Sequence, residues 1–350
     1  MPGKIHLGGR VLKTALAVGI SVYIVQNLGY ERVTLTAIVA LVTIQRTFYG
    51  SLKQGAARLG SVILGALLGT FFALLLGGTP LAFGLAILTV IVVSIRLNWQ
   101  DNIVIVAVVA IGVISSQAEN LFLYSMQQFI SALIGAVVAL SINILFAPTY
   151  QPDVHNKLRS IETSLSQMLG IVAAEMHYPD LNSDISGQVE QLEAEIRSGL
   201  QISKLFREEQ RFNPHSETQA DRYLDTLRVF TAQTEILLEM HKLARRMTIE
   251  VPQSQPIAKL LRIMGYVQKR RLYGKNTHFC LIDIVIANLE GTFAHMELPA
   301  TRDEFISRSS LVHMFREVKK YYKQIQMMPA ALQNEATDDQ QIAKKGKDSR

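Results

Sequence analysis

The sequence predicts an all-α protein in which a six-helix transmembrane bundle is followed by a cytosolic α-helical domain. Three observations predict this: six apolar runs before Pro148, an uneven distribution of charge, and a polar second half with apolar residues at helical spacing. The first 150 residues carry eight basic and three acidic residues, whereas the rest of the chain carries 27 and 26. The basic excess therefore belongs to the apolar half.

The apolar runs predict a transmembrane domain over residues 1–149. We expect six spans, near residues 11–28, 33–46, 57–77, 80–96, 102–117 and 121–147. A membrane-spanning helix needs about 20 apolar residues, and the second, fourth and fifth runs are shorter than that. Whether the second and fifth runs cross completely stays open. No small-residue cleavage site follows the first run, so we expect it to be retained as a span.

The basic residues predict the orientation of these spans. A cytoplasmic start places Lys4, Arg10 and Lys13 on the inner side, and the stretch from Arg46 to Arg58 becomes a cytoplasmic turn between the second and third spans. Arg32 is then the only basic residue of the outer loops. We therefore expect a multi-pass plasma-membrane protein whose N- and C-termini are both cytoplasmic.

Small residues recur every four positions in the third and sixth spans and predict close helix packing. They are Ser61, Gly65 and Gly69 in the third span, and Ser131, Gly135 and Ala139 in the sixth. A shift of about 70 residues superimposes these two sets, and it also places residues 37–40 over 107–110. This offset indicates two repeats of three spans with opposite orientations, although apolar sequences also match by chance.

Polar residues inside the apolar half are candidates for a solute path. These candidates are Thr36, Thr43, Gln45, Arg46 and Asn143. Polar side chains in spans normally face the bundle interior or a polar route. The alternatives are hydrogen bonds between helices for the uncharged residues, and topology or lipid headgroup contact for Arg46.

The second half predicts a cytosolic helical domain over residues 150–333, followed by a disordered tail over 334–350. We expect helices near 152–177, 184–211, 216–248, 256–294 and 302–327, the last beginning with a capping box formed by Thr301 and Glu304. Cys280 is the only cysteine, the histidines lack metal-ligand spacing, and the chain has no phosphate-binding loop or nucleophile motif. We therefore expect no cofactor, no metal and no enzymatic activity. The basic residues stand singly between apolar runs, which argues against a nucleic-acid partner.

The apolar half resembles the bacterial aromatic acid exporter family, part of the fusaric-acid-resistance-like superfamily. The features that carry this resemblance are Lys13-Thr14-Ala15, Gln45 with Thr47, Arg58 followed by Ser61, Gly65 and Gly69, the stretch "LNWQD" at 97–101, and Asn143. The resemblance covers residues 1–150 well and is looser beyond them. Because longer members hold two six-span halves, it implies that a half-size chain works as a homodimer or larger homo-oligomer.

The resemblance also implies a function, the export of aromatic carboxylic acids and related compounds. We therefore expect an integral plasma-membrane transporter whose partners are the lipid bilayer and a small organic anion. Two alternatives remain open at this point: an anion channel gated by its cytosolic domain, and a membrane-anchored scaffold or sensor.

Overall fold

The structure is a computed structural model that describes residues 9–30, 33–116, 120–146, 150–178, 183–210 and 214–333. Within these ranges every regular element is helical, which confirms the predicted all-α class. The chain divides into two compact units, residues 1–148 and 149–350. The division falls next to the boundary predicted from composition. The predicted disordered tail lies outside the described residues.

Within its described residues the first unit contains six α-helices and one short 3-10 helix, Gln100–Asn102. The α-helices are α1 (Gly9–Asn27), α2 (Thr34–Thr43), α3 (Phe48–Leu76), α4 (Pro80–Arg96), α5 (Ile103–Ile114) and α6 (Leu121–Leu145). Two of them, α3 and α6, are long and apolar enough to cross a membrane. Helix α2 has 10 residues, which gives a length of about 15 Å against a hydrocarbon core of about 30 Å.

Helix α3 begins at Phe48 and not near residue 57, so the predicted turn from Arg46 to Arg58 is much shorter than expected. Thr47 caps the helix, because its side chain accepts a hydrogen bond of 3.0 Å from the backbone N–H of Gly50. The non-helical segment between α2 and α3 is therefore only residues 44–47. Lys53 and Arg58 lie within a helix, where we had expected loop positions.

Two close contacts hold the first unit together, and they are equivalent under an offset of 70 residues. A Cβ built on Gly65 of α3 would lie 2.6 Å from the carbonyl oxygen of Val106 on α5, and one built on Gly135 of α6 would lie 2.7 Å from that of Thr36 on α2. Gly65 and Gly135 are related by this offset, and so are Thr36 and Val106. Helix α3 thus packs against α5 in the same way as α6 packs against α2.

The second unit is a helical bundle with one continuous apolar core. Its helices are α7 (Gln151–Glu175), α8 (Ser186–Glu209), α9 (Pro214–Ala244), α10 (Ser254–Leu272), α11 (Phe279–Ala294) and α12 (Arg302–Met327). Helix α7 packs against α8, α9 and α10, and α12 packs against α9 and α10. The expected cap begins α12, since the Glu304 N–H donates to the Thr301 hydroxyl at 3.1 Å.

The single helix predicted over residues 256–294 is wrong, because the structure has two helices there, α10 and α11. Gly274 has a φ of +64° and ends α10. The N–H groups of Gly274 and Lys275 donate to the carbonyls of Arg271 and Arg270, which is the Schellman arrangement. Residues 274–278 contain no apolar side chain, and Gly274 with Asn276 is the turn signal that the helical spacing on either side outweighed in the prediction.

Candidate functional site

The break between α2 and α3 is buried and held by polar side chains. Residues 44 and 47 have extended backbone, and the N–H of Gln45 donates to the Ser51 hydroxyl at 2.9 Å. Asn143 of α6 donates its side-chain amide to the same hydroxyl at 2.9 Å and to the Thr47 carbonyl at 3.3 Å. Asn143 is 2% exposed. One amide from α6 therefore satisfies backbone and side-chain acceptors of the break.

Arg58 of α3 points into the first unit beside this break, and only 3% of the residue is exposed. Its guanidinium donates to the side-chain oxygen of Asn102 at 3.3 Å, to the Val42 carbonyl at 3.2 Å and to the Gln54 side-chain oxygen at 3.3 Å. All three acceptors are uncharged, and the nearby carboxylate of Asp101 acts on Arg58 only through its charge. Its Nε is buried and has no hydrogen-bond partner among the described residues.

Such an arrangement is unusual for an arginine. A guanidinium stays charged in proteins, and burying a charge is costly unless a counter-charge accompanies it. Carboxylates match the planar fork of donors that arginine presents. Arg58 together with Asn102 and Gln54 therefore forms a candidate site for a small anion.

The structure brings together some, but not all, of the predicted path residues. Thr43, Gln45 and Asn143 lie at the break, and the buried hydroxyl of Thr43 has no partner among the described residues. Thr36 donates across to the Ser131 carbonyl at 3.1 Å, which makes it an interhelical contact. Arg46 is exposed.

The small-residue sets lie on two different contacts. Ser61, Gly65 and Gly69 are buried on one face of α3, and Gly69 contacts Ala110 of α5. Ser131, Gly135 and Ala139 are buried on α6, which packs against α2. The seams thus join α3 to α5 and α6 to α2.

The sequence indicates Arg58 only as one of several basic residues of a cytoplasmic turn that could gather anions, and not as a residue of the solute path. The missed signal is the position of Arg58 within the small-residue stripe of α3, with Ser51 and Gly55 before it and Gly65 after it. A long charged side chain in such a stripe must reach into the space that the small residues leave. Asn102 and Ser51 were also missed, since neither stands out by type or spacing.

The second unit buries several polar groups in its core. Glu175 and His241 pair at 2.8 Å, and the His155 ring lies 2.5 Å from the Tyr223 hydroxyl. Glu162 is 3% exposed, and burial raises the pKa of its carboxyl to about 7 although the charge of Lys269 lowers it. Among the described residues, no cluster of three or more His, Cys, Asp or Glu side chains is placed to hold a metal.

Comparison with known proteins gives a consistent result for both units. Residues 5–146 match the family described as aromatic acid exporter family member 1, and residues 152–325 match the aromatic acid exporter C-terminal domain. The chain is similar to the uncharacterised protein YqjA of Bacillus subtilis, with 25% identity over 322 residues, which are 90% of this chain and 94% of YqjA.

Two UPF0421 proteins are similar over a shorter length. A UPF0421 protein of Oceanobacillus iheyensis is 27% identical over 180 residues, 51% of this chain and 52% of its own length. The UPF0421 protein YgaE of Bacillus subtilis is 23% identical over 208 residues, 59% of this chain and 58% of its own. The chain thus matches little more than half the length of these two relatives.

Proposed function

Because the chain belongs to the aromatic acid exporter family, we propose that it is an integral membrane transporter that exports small aromatic carboxylic acids. Family membership suggests a transporter. The substrate class, the direction of transport and the membrane topology are parts of the proposal, and each has its own support.

The surface of the first unit supports a membrane location. Large apolar side chains stand exposed on it, such as Leu74 at 75%, Phe122 at 73% and Leu145 at 78%. Exposed apolar area of this kind marks a surface that contacts lipid or another protein. Short helix α2 fits a bilayer because the Gln45 N–H and the Thr47 carbonyl of the non-helical segment bond to side chains inside the unit, as irregular backbone in a membrane must.

The charge distribution supports the proposed orientation. Arg46 and Lys53 lie near the α2–α3 break, and Arg96 lies in the last turn of α4. The positive-inside rule places these residues on the cytoplasmic side. We propose that both termini are cytoplasmic, that six helices form the membrane domain, and that two or more copies assemble.

The single observation that carries the anion proposal is the buried guanidinium of Arg58 with three uncharged acceptors. The charge of Asp101 acts on Arg58 from nearby, but Asp101 is not among the groups that accept its hydrogen bonds. A carboxylate arriving from the cytoplasm would supply a charged acceptor in direct contact and could replace one of the weak 3.3 Å contacts to Asn102 or Gln54. Arg58 would then select anions. Because residues 44–47 are not helical, the chain could move there and open the site without unwinding a helix.

The test is uptake of labelled 4-hydroxybenzoate into inside-out vesicles that contain the full chain, with and without a proton gradient. Arg58→Gln removes the buried charge and keeps a hydrogen-bonding side chain. Lys53→Gln removes an exposed charge from the same helix and is the matched control. We expect uptake in the wild type and in Lys53→Gln, and a loss of about tenfold or more in Arg58→Gln, equivalent to about 1.4 kcal/mol.

Two results would contradict the proposal. If the well-inserted wild type moves no aromatic acid under any gradient, the transport function is wrong. If Arg58→Gln and Lys53→Gln transport equally well, the chain is a transporter but Arg58 does not recognise the anion.

A further inference from the structure

The surroundings of Arg58 have a counterpart 70 residues further along the chain. Arg58 bonds to Gln54 one turn before it and to the backbone of Val42 on α2. At the equivalent positions on α6, Gln128 donates to the Tyr124 hydroxyl at 2.9 Å. Both of these atoms lie beside Gly112 of α5, 3.7 and 3.6 Å from where its Cβ would be.

This second group reproduces three parts of the first with different chemistry, and Asn102 has no counterpart among the described residues. Gln128 corresponds to Arg58, Tyr124 corresponds to Gln54, and Gly112 corresponds to Val42. The same offset relates the two close contacts Gly65–Val106 and Gly135–Thr36. The correspondence therefore covers both the packing of the helices and the polar side chains that they carry.

The two groups lie at different depths of the first unit. Helices α3 and α6 are antiparallel, because Thr70 lies 3.5 Å from Ser125 near one end and Gly55 contacts Leu140 near the other. Gln128 therefore lies about nine residues along α6 from the level of Arg58, which is about 14 Å at a rise of 1.5 Å per residue.

Apolar side chains fill the space between the two groups. Val62 and Ala132, which the offset also relates, are both fully buried and belong to one cluster with Val39 and Val109. A solute that bound at one group would have to pass this cluster to reach the other. A hydrophobic constriction between two polar sites is a known way to close a path.

We propose that Tyr124 and Gln128 form a second binding site for the transported carboxylate, on the opposite side of the apolar cluster from Arg58. This inference rests on the proposed function. The Gln128 amide, which lies beside the Tyr124 hydroxyl, offers an N–H donor without the guanidinium charge. A neutral site holds a carboxylate less tightly than an arginine does, which suits release after passage.

The test compares transport from the two faces of the membrane, using 4-hydroxybenzoate with inside-out and right-side-out vesicles that contain the full chain. Gln128→Leu removes the amide at similar size, and Gln127→Leu changes the exposed neighbouring glutamine as the matched control. We expect Gln128→Leu to raise the half-saturating concentration about tenfold from the outer face alone, which is the effect of losing one hydrogen bond to a charged group. Arg58→Gln should raise it from the inner face.

A second variant separates a binding role from a packing role. Gln128→Glu keeps the size of the side chain and places a negative charge where the carboxylate would bind, so we expect a larger effect than that of Gln128→Leu, again from the outer face. A purely structural role would lower the melting temperature and weaken transport equally from both faces, which would overturn the inference.

The outcomes also separate this inference from the proposed function. If the wild type transports the acid and neither Gln128→Leu nor Gln127→Leu changes that transport, the second site is wrong and the proposed transport function is unaffected. No transport by the wild type would overturn both, and the wild-type measurement alone reveals that case.

Discussion

At the scale of single residues, Glu162 shows how burial sets the chemistry of the second unit. Its carboxyl is buried in α7, and one of its oxygens has no hydrogen-bond partner among the described residues. Burial disfavours the charged form and raises the pKa from 4.5 to about 7. The folded protein therefore binds this proton more tightly than the unfolded chain does.

Glu162→Gln should stabilise the protein at high pH and change little at pH 4. Stability from this group is complete below the unfolded pKa of 4.5, falls as the pH rises, and is lost above about 7. The glutamine avoids that loss, so we expect the variant to gain up to about 3 kcal/mol at pH 8. Melting of the full chain between pH 4 and 8 measures this, with the exposed Glu190→Gln as control. A gain that does not depend on pH would contradict the prediction.

At the scale of elements, the break between α2 and α3 depends on α6. The side-chain amide of Asn143 donates to Thr47 and Ser51, which lie on opposite sides of the start of α3. An alanine there leaves these buried acceptors without that donor. The break is thus a tertiary feature that α2 and α3 do not determine by themselves.

Asn143→Ala should lower stability by about 1–3 kcal/mol, the cost of leaving a buried polar group unsatisfied. Ser141→Ala is the matched control, because Ser141 is exposed on the same helix and its hydroxyl bonds only to the Val137 carbonyl. Thermal unfolding in detergent compares the two variants with the wild type. Equal melting temperatures for both would show that the break holds without Asn143.

The two glycine seams make a second prediction at this scale. Gly65→Ala would bring a methyl group to 2.6 Å from the Val106 carbonyl oxygen, and the backbone there cannot move aside easily. We expect a loss of about 1–3 kcal/mol, typical of overpacking. Gly84→Ala on α4 is the control, since nothing lies within 4 Å of its added Cβ. The melting temperatures of the two variants and the wild type in detergent test this. Equal melting temperatures for Gly65→Ala and Gly84→Ala would contradict tight packing between α3 and α5.

The sequence predicted most helices but not all of their ends. Apolar runs and helical spacing located α1 to α6 and most of the second unit, because burial of one face leaves a periodic trace. The end of α10 at Gly274 needed a positive φ, which no periodicity encodes. The early start of α3 at Phe48 depends on the cap by Thr47, a signal that lies inside an otherwise ordinary polar stretch.

The candidate site was harder to predict than the helices. Asn143 and Gln45 stood out as polar residues in apolar runs. Arg58 did not, because its burial follows from the close approach of α3 and α5, and only the folded chain brings Asn102 within 3.3 Å of it. Contacts between residues 44 positions apart leave no mark in composition.

At the scale of the whole chain, the first unit is organised by the offset of 70 residues. The offset relates the two helix seams, members of the central apolar cluster such as Val62 and Ala132, and the two polar groups around Arg58 and Gln128. Three-helix repeats of this kind have opposite orientations in a bilayer, because an odd number of crossings reverses the direction of the chain. If the six helices cross the membrane as we propose, one polar group lies toward each face.

Trp99 can report directly on whether Arg58 binds the carboxylate of the solute. It is the only tryptophan of the chain, and its ring packs against Gly60, two residues from Arg58. The most direct measurement is the change in Trp99 fluorescence as purified protein is titrated with benzoate, and separately with uncharged benzamide. We predict a saturable change with benzoate in the wild type and in Lys53→Gln, and none in Arg58→Gln or with benzamide. An equal benzoate response in Arg58→Gln, or an equal response to benzamide in the wild type, would contradict carboxylate binding by Arg58.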